Sequence, residues 1–247
     1  METSNKYLEQ FQCLHENIIN TKFTDIKKYN YSDIDITRQQ PCIYLFDKDM
    51  PSYNDFSNFV SNMNFHYTSK NDVIDAIDSP NMTKTIHKLK NNEYIFDTFN
   101  DEISKKYILQ NFKPPKHLFA KNNCHYRTSR IYYGHQNFPI LIHKHSSALN
   151  YLVKGKKLWI IFPSTQHNNV KFNEMEDIFN DNNNNVNDDY NKFLIENFNN
   201  IKNDIHDFHF FVQDEKEIVY IPDYWWHGLI NLDSSLGITF SWEKDKK

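Results

Sequence analysis

From Ser129 to the C-terminus the chain is cut into short apolar runs separated by turn residues. The runs are Arg130 to Tyr133, Ile140 to His143, Leu149 to Val153, Leu158 to Phe162, Ile218 to Ile221, Leu229 to Leu232 and Leu236 to Phe240. Four or five residues are too few for a helix and suit buried strands, so this half is expected to form a mainly β core, a sandwich or a barrel. All four glycines, Gly134, Gly155, Gly228 and Gly237, lie in it, where turns, bulges or close backbone approaches need them.

Upstream the pattern differs. Tyr7, Phe11, Leu14 and Ile18 fall at helical spacing, Cys42 to Phe46 reads as a buried strand after Pro41, and Tyr53 to Phe65 has the aromatic spacing of a helix. Tyr94 to Asp97 is followed by a charged, helical stretch that stops at Pro114-Pro115. The expected organisation is a polar, helical N-terminal extension over residues 1–38 and one domain over residues 39–247. Within it, about residues 164–208 form a polar insert with Asn182 to Asn185 and Asp188-Asp189 at its centre, too poor in apolar residues to offset the entropy of ordering it. Ile178-Phe179 and Phe193 to Ile195 are candidates for short helices around it.

At 247 residues a single large β domain with a real core is feasible, and 16% aromatic residues supply the bulk to fill it. A net charge of -4 and a pI near 6.3 argue against a chain built to neutralise phosphates. Cys13, Cys42 and Cys124 are odd in number and form no C-x-x-C pair, which suits a reducing compartment better than a disulfide framework or a thiolate zinc site. With no uninterrupted apolar stretch for a signal peptide or a membrane span, the expected setting is intracellular, cytoplasmic or nuclear, without a membrane partner.

Two histidine clusters stand inside the strand-like sequence: His143-Lys144-His145 and, far downstream, Trp225-Trp226-His227. In a strand, residues i and i+2 share a face, so His143 and His145 can converge on one point with His227 as a third ligand from another strand. Neutral imidazoles hold iron, copper, nickel or zinc, and three of them leave coordination positions open. A lone histidine on an apolar strand is more often a hydrogen-bonded core residue; the pairing raises the metal reading.

The run Trp225 to Thr239, led by Ile218-Val219-Tyr220-Ile221-Pro222, resembles the distal-histidine segment of the Jumonji C (JmjC) hydroxylases, a cupin-like branch of the 2-oxoglutarate oxygenases. Asn150 to Pro163, with its Gly155-x-Lys157 turn, is similar to the family's central strand pair, and Tyr94 to Asp97 with Pro114-Pro115 and Phe119 resembles its lead-in. The similarity spans about residues 40–242. It implies a double-stranded β-helix, or jelly roll, with Fe(II) at its open end and 2-oxoglutarate as cosubstrate. On this resemblance His143 and His227 take the places of the family's two histidine ligands, and His145 stands where the family has an acidic one. Lys157 matches the lysine that pairs with the distal carboxylate of 2-oxoglutarate, and Asn150 and Thr239 match further cosubstrate contacts. Ile140 stands where many members place a hydroxyl. A histidine in place of the carboxylate removes one negative charge from the metal site.

Each assignment has a structural counterpart: Lys157 in a solvated basic turn with Lys154 and Lys156, Thr239 as strand packing, Asn150 satisfying a strand end, Trp225 or Trp226 as core. The activity implied is hydroxylation or demethylation of a side chain in a protein or peptide substrate. Two alternatives stay open, a non-catalytic JmjC-like interaction module with a vestigial or structural metal site, and a three-histidine cupin dioxygenase acting on a small molecule. A homodimer is likewise left open.

Overall fold

The short apolar runs become strands of two sheets that face each other. The computed structural model describes residues 25–46, 49–69, 83–91, 93–115, 124–136, 138–164 and 208–244. The helix expected around Tyr7 to Ile18 and the centre of the polar insert lie outside these residues. In chain order the elements are β1 (Lys28–Asn30), β2 (Cys42–Leu45), α1 (Tyr53–Val60), β3 (Phe65–Ser69), β4 (Thr83–Lys84), β5 (Glu93–Thr98), α2 (Glu102–Asn111), β6 (Cys124–Gly134), β7 (Pro139–His143), β8 (Ala148–Lys154), β9 (Lys157–Phe162), β10 (His209–Gln213), β11 (Glu217–Ile221), β12 (Trp226–Asn231) and β13 (Ser235–Lys244).

The large sheet runs β1-β2-β11-β8-β13-β6-β5-β3-β4 and the small one β10-β9-β12-β7. Four central strands of the large sheet, β11-β8-β13-β6, with the four of the small sheet make the expected double-stranded β-helix. The remaining strands extend the large sheet at both edges.

Strand alternation sorts the side chains into layers. Ile43, Ala148, Val219 and Ile221 from the large sheet meet Trp159, Ile161, Phe211 and Leu229 from the small one in a core between the sheets. The opposite face of the large sheet, with Tyr44, Tyr151, Val153, Ile218, Tyr220, Ile238, Phe240 and Trp242, packs on Phe56 and Val60 of α1 and Ile108 of α2. Because β8 is covered on both faces, its residues from Ala148 to Val153 are all buried. That is why it reads as a continuous apolar run.

Both helices start on side-chain caps. Ser52 and Asp55 form a reciprocal capping box on α1, and Asp101 accepts the Ser104 amide at 2.8 Å on α2. The first helix is shorter than its aromatic spacing predicts: it ends at Val60, Met63 closes a turn onto the Val60 carbonyl, and Phe65 opens β3. Phe65 is buried in the same cluster as Phe56 and Val60, so one apolar pattern is met by a helix followed by a strand.

Candidate metal centre

β7 and β12 pair antiparallel with His143 opposite His227. Between His227 and Leu229 the register slips, so that two steps on β12 span three on β7, from His143 to Ile140. Such a bulge re-aims the end of a strand. Here it brings both His143 and Ile140 opposite residues on the inward face of β12, the face that carries Leu229 into the core.

His145 arrives by a different route from the one its spacing suggests. β7 ends at His143, so Lys144 and His145 belong to the connection into β8 and no strand alternation aims them. The His145 carbonyl accepts the amide of Tyr224 at 2.9 Å. Tyr224 sits in the turn before β12 with φ of 57°, so this bond ties the His145 segment to the segment that delivers His227.

The three rings come together. Their centroids are 5.3 Å apart for His143 and His145, 4.3 Å for His143 and His227, and 4.6 Å for His145 and His227. One ring nitrogen from each lies within 4.8 Å of the others, and the three could hold a metal ion. With bonds of about 2.1 Å, two donors on one ion are up to about 4.2 Å apart, the scale on which these three nitrogens are gathered.

Two of the rings have their second nitrogen already engaged. His227 Nδ1 is 2.9 Å from the Trp225 carbonyl oxygen and His145 Nδ1 is 2.5 Å from that of Ser146. A carbonyl only accepts, so each Nδ1 carries the proton and each Nε2 lone pair is left for a metal. Burial, reinforced by the neighbouring His143 and His145, pushes the His227 pKa well below that of a free histidine. His145 is lowered too, chiefly by burial and then by the positive charges of Arg130 and Arg127. Both therefore favour the neutral form that binds metal.

Behind the triad, between the sheets, lies Lys157. It faces inward with Trp159 and Ile161, is 0% exposed, and its Nζ has no hydrogen-bond partner among the described residues. The solvated-turn alternative fails here: Lys154 and Lys156 pair with Glu215 and Asp214 at the surface, while Lys157 turns in. Burial alone pulls its pKa well below the usual lysine value. A buried amine without an acceptor is a costly arrangement, and an anionic ligand would relieve it.

Asn150 and Thr239 lie opposite each other on β8 and β13, and Asn150 Nδ2 donates to Thr239 Oγ1 at 3.1 Å. Tyr132 completes the group. Its hydroxyl is within hydrogen-bonding distance of both Asn150 Oδ1, at 2.9 Å, and the Tyr151 carbonyl, at 2.7 Å, and its ring centroid is 3.3 Å from Lys157 Nζ. Lys157, Asn150 and Thr239 thus converge across the two sheets. Tyr132 was not foreseen, because in sequence it is one more aromatic in an apolar run; only the inward alternation of β6 singles it out. Asn231, opposite Lys157 on β12, is also wholly buried, with no partner for Oδ1 among the described residues. Ile140 packs against the core beside the pocket. Of the two tryptophans, Trp225 packs on the core between the sheets and Trp226 lies under Lys144 Nζ at 4.7 Å.

Among the described residues no helix is long and apolar enough to cross a membrane. Residues 138–242, which carry all three histidines together with Lys157, Asn150 and Thr239, match the family model described as JmjC domain, hydroxylase. None of the curated proteins matches the chain.

Proposed function

We propose that this chain, whose residues 138–242 are a JmjC domain, is an Fe(II)- and 2-oxoglutarate-dependent oxygenase that hydroxylates or demethylates a protein side chain. The observation that carries the reading is the Lys157 amine, buried without an acceptor among the described residues, behind three histidines that could hold a metal. An ion held by His143, His145 and His227 and an anion reaching Lys157 would satisfy both groups at once. A structural metal in an interaction module leaves the buried lysine without a purpose, and so does a dioxygenase acting without a dicarboxylate. That favours the oxygenase reading over both alternatives.

In this reading His143, His145 and His227 hold the metal, and their engaged Nδ1 atoms at His145 and His227 fix which nitrogen is offered. Lys157 binds the distal carboxylate of 2-oxoglutarate as a charge-assisted pair in a dry pocket. Tyr132, Asn150 and Thr239 hold one another and orient the cosubstrate alongside. Trp159, Ile161 and Leu229 wall the space against water. When bound, metal and 2-oxoglutarate supply the oxidation, in which one oxygen atom of O2 becomes the new hydroxyl, the other enters succinate, and carbon dioxide leaves.

Metal analysis of the purified protein, a titration with 2-oxoglutarate and an assay for succinate release test the proposal together. Binding of about one metal ion and one 2-oxoglutarate per chain, with succinate formed, is the expected result. Absence of both bindings would sink it.

A further inference from the structure

We propose that Arg130 sets the substrate class: its guanidinium, at the mouth of the histidine site, binds a carboxylate of the substrate, so that the reacting side chain belongs to, or lies beside, an aspartate or glutamate of a peptide. This rests on the oxygenase reading above and adds the chemistry of what that site accepts.

The placement follows from register. Arg130 on β6 lies directly opposite Thr239 on β13, which in turn lies opposite Asn150 on β8. Opposed residues share a face. Thr239 and Asn150 touch each other on the inward face, so Arg130 points to the same side, toward the small sheet. Along β6 Arg130 is two residues from Tyr132 and therefore in line with it. Tyr132 contacts Lys157 at the inner end of the pocket, whereas Arg130 is displaced along β6 toward the end of the sheet where β8 starts at Ala148, three residues after His145.

The arginine has little there to hold it. It is half-buried, and among the described residues no carboxylate pairs with it. Its neighbour Arg127, by contrast, pairs with Glu243 at 2.7 Å. Among the described residues Phe96 is stacked near it, with the guanidinium carbon 5.3 Å from the ring centroid. Burial, and then the like charge of Arg127, pull its pKa below the usual arginine value, and the Asp97 carboxylate, which forms no ion pair with it, offsets only part of this. It stays charged at neutral pH all the same, because that usual value is so high.

Among the described residues the surroundings are open on one side. Phe96 and Thr98 of β5 lie opposite Tyr132 and Arg130, and Phe96 is 47% exposed, a large aromatic left in solvent beside a buried site. The small sheet ends at β7, whose outer edge is unpaired among the described strands, so no described strand roofs β5 and part of β6. A peptide entering there meets an apolar wall at Phe96 and a planar five-donor fork at Arg130. That fork matches a carboxylate in two parallel hydrogen bonds, which a lysine or a backbone amide does not reproduce.

The test reads binding rather than turnover, so it is independent of whether the site is active. Two fluorescent peptide pools of the same length are compared, one carrying Asp and Glu and the other Asn and Gln at the same positions, on protein loaded with Zn(II) and saturating 2-oxoglutarate. The wild type is expected to bind the acidic pool about tenfold more tightly. Arg130→Gln is expected to lose that preference with unchanged affinity for 2-oxoglutarate, and Arg130→Glu to favour a pool carrying Lys and Arg. Equal binding of the first two pools by the wild type overturns the proposal. So does a preference that survives in Arg130→Gln, or a loss of 2-oxoglutarate binding in that variant, which would assign the arginine to the cosubstrate. Failure of the oxygenase reading shows separately, as absent metal or 2-oxoglutarate binding in the wild type.

Discussion

Lys157 and Tyr132 meet across the two sheets, with the lysine Nζ 3.3 Å from the tyrosine ring centroid and no acceptor beside it among the described residues. The π face offsets part of the cost of bringing the amine in from water, and the rest is carried by the fold. Such a residue weakens the ligand-free protein and strengthens the liganded one.

Lys157→Met should separate these two effects. Below the ordinary lysine pKa the unfolded chain holds a proton that the folded, ligand-free chain resists, so burial subtracts stability at every pH up to about 10.5 and the loss shrinks as that value is approached. Removing the amine should therefore stabilise the ligand-free protein by about 1–3 kcal/mol, which is several degrees of Tm at roughly 2–4 °C per kcal/mol for a chain of this size. In the same variant the rise in Tm produced by 2-oxoglutarate should vanish. Thermal melts of both proteins with and without the dicarboxylate check this, and a variant less stable than wild type would contradict it.

The histidines predict an acid-sensitive site. His227 and His145 both have lowered pKa values, mainly through burial. As pH falls below about 6.5 the unfolded chain takes up protons that the folded chain refuses, so stability declines by up to about 1.4 kcal/mol per pH unit for each such group. Urea unfolding of the metal-free protein at pH 7 and pH 5.5 should show this decline, and His227→Asn should flatten it. Zn(II) needs neutral imidazoles, so its stabilising effect at pH 7 should fade over the same range.

Gly237 underlies the tyrosine's position. A methyl group there would run into the Tyr151 carbonyl oxygen and the Tyr132 hydroxyl, which hydrogen-bond to each other at 2.7 Å. Gly237→Ala is expected to cost about 1–3 kcal/mol from overpacking and to push the Tyr132 ring out of line with Lys157. Affinity for 2-oxoglutarate should drop while affinity for metal, set at the other end of the pocket, is unchanged. Calorimetric titrations with each ligand distinguish this from general damage, which would weaken both.

The sequence made much of this site legible because its chemistry sits in strands with strong apolar patterns. Leu158 to Phe162 and Ile218 to Ile221 are readable as strands, whereas Lys157 is set apart from Lys154 and Lys156 only by the resemblance of its Gly155-x-Lys157 turn to the family's. What stayed hidden depends on pairing. His145 joins the triad through a loop bonded to the Tyr224 turn, a contact between distant segments, although an i, i+2 spacing appeared to explain it. β10 carries Phe210 and Phe211 next to the polar insert, where the neighbouring residues give no periodic frame that marks a strand. Tyr132 and Arg130 lie two residues apart in an ordinary strand, and only register with β13 gives them a role.

Gln213 is the case where a residue without any sequence signal carries much of the frame. It ends β10, is wholly buried, and accepts the Trp159 indole N–H at 2.9 Å while its amide nitrogen donates to the carbonyls of Asn150 and Glu217, both at 2.9 Å. It thus links the small sheet to β8 and β11 of the large one immediately behind Asn150. Gln213→Leu keeps the volume but leaves the indole N–H and both carbonyls without this partner. The indole loses its acceptor outright, and an unsatisfied buried group costs about 1–3 kcal/mol, so a loss of about 3 kcal/mol overall is expected by urea denaturation. Gln213→Glu is the sharper comparison. It still accepts from Trp159, but an ionised carboxylate would face two carbonyl oxygens in a dry interior, so it must take up a proton to fold. Its stability should then fall as pH rises from 5 to 8, opposite to the trend set by the histidines. A Gln213→Glu protein with the pH dependence of the wild type would mean that this side chain is less enclosed than the two sheets make it.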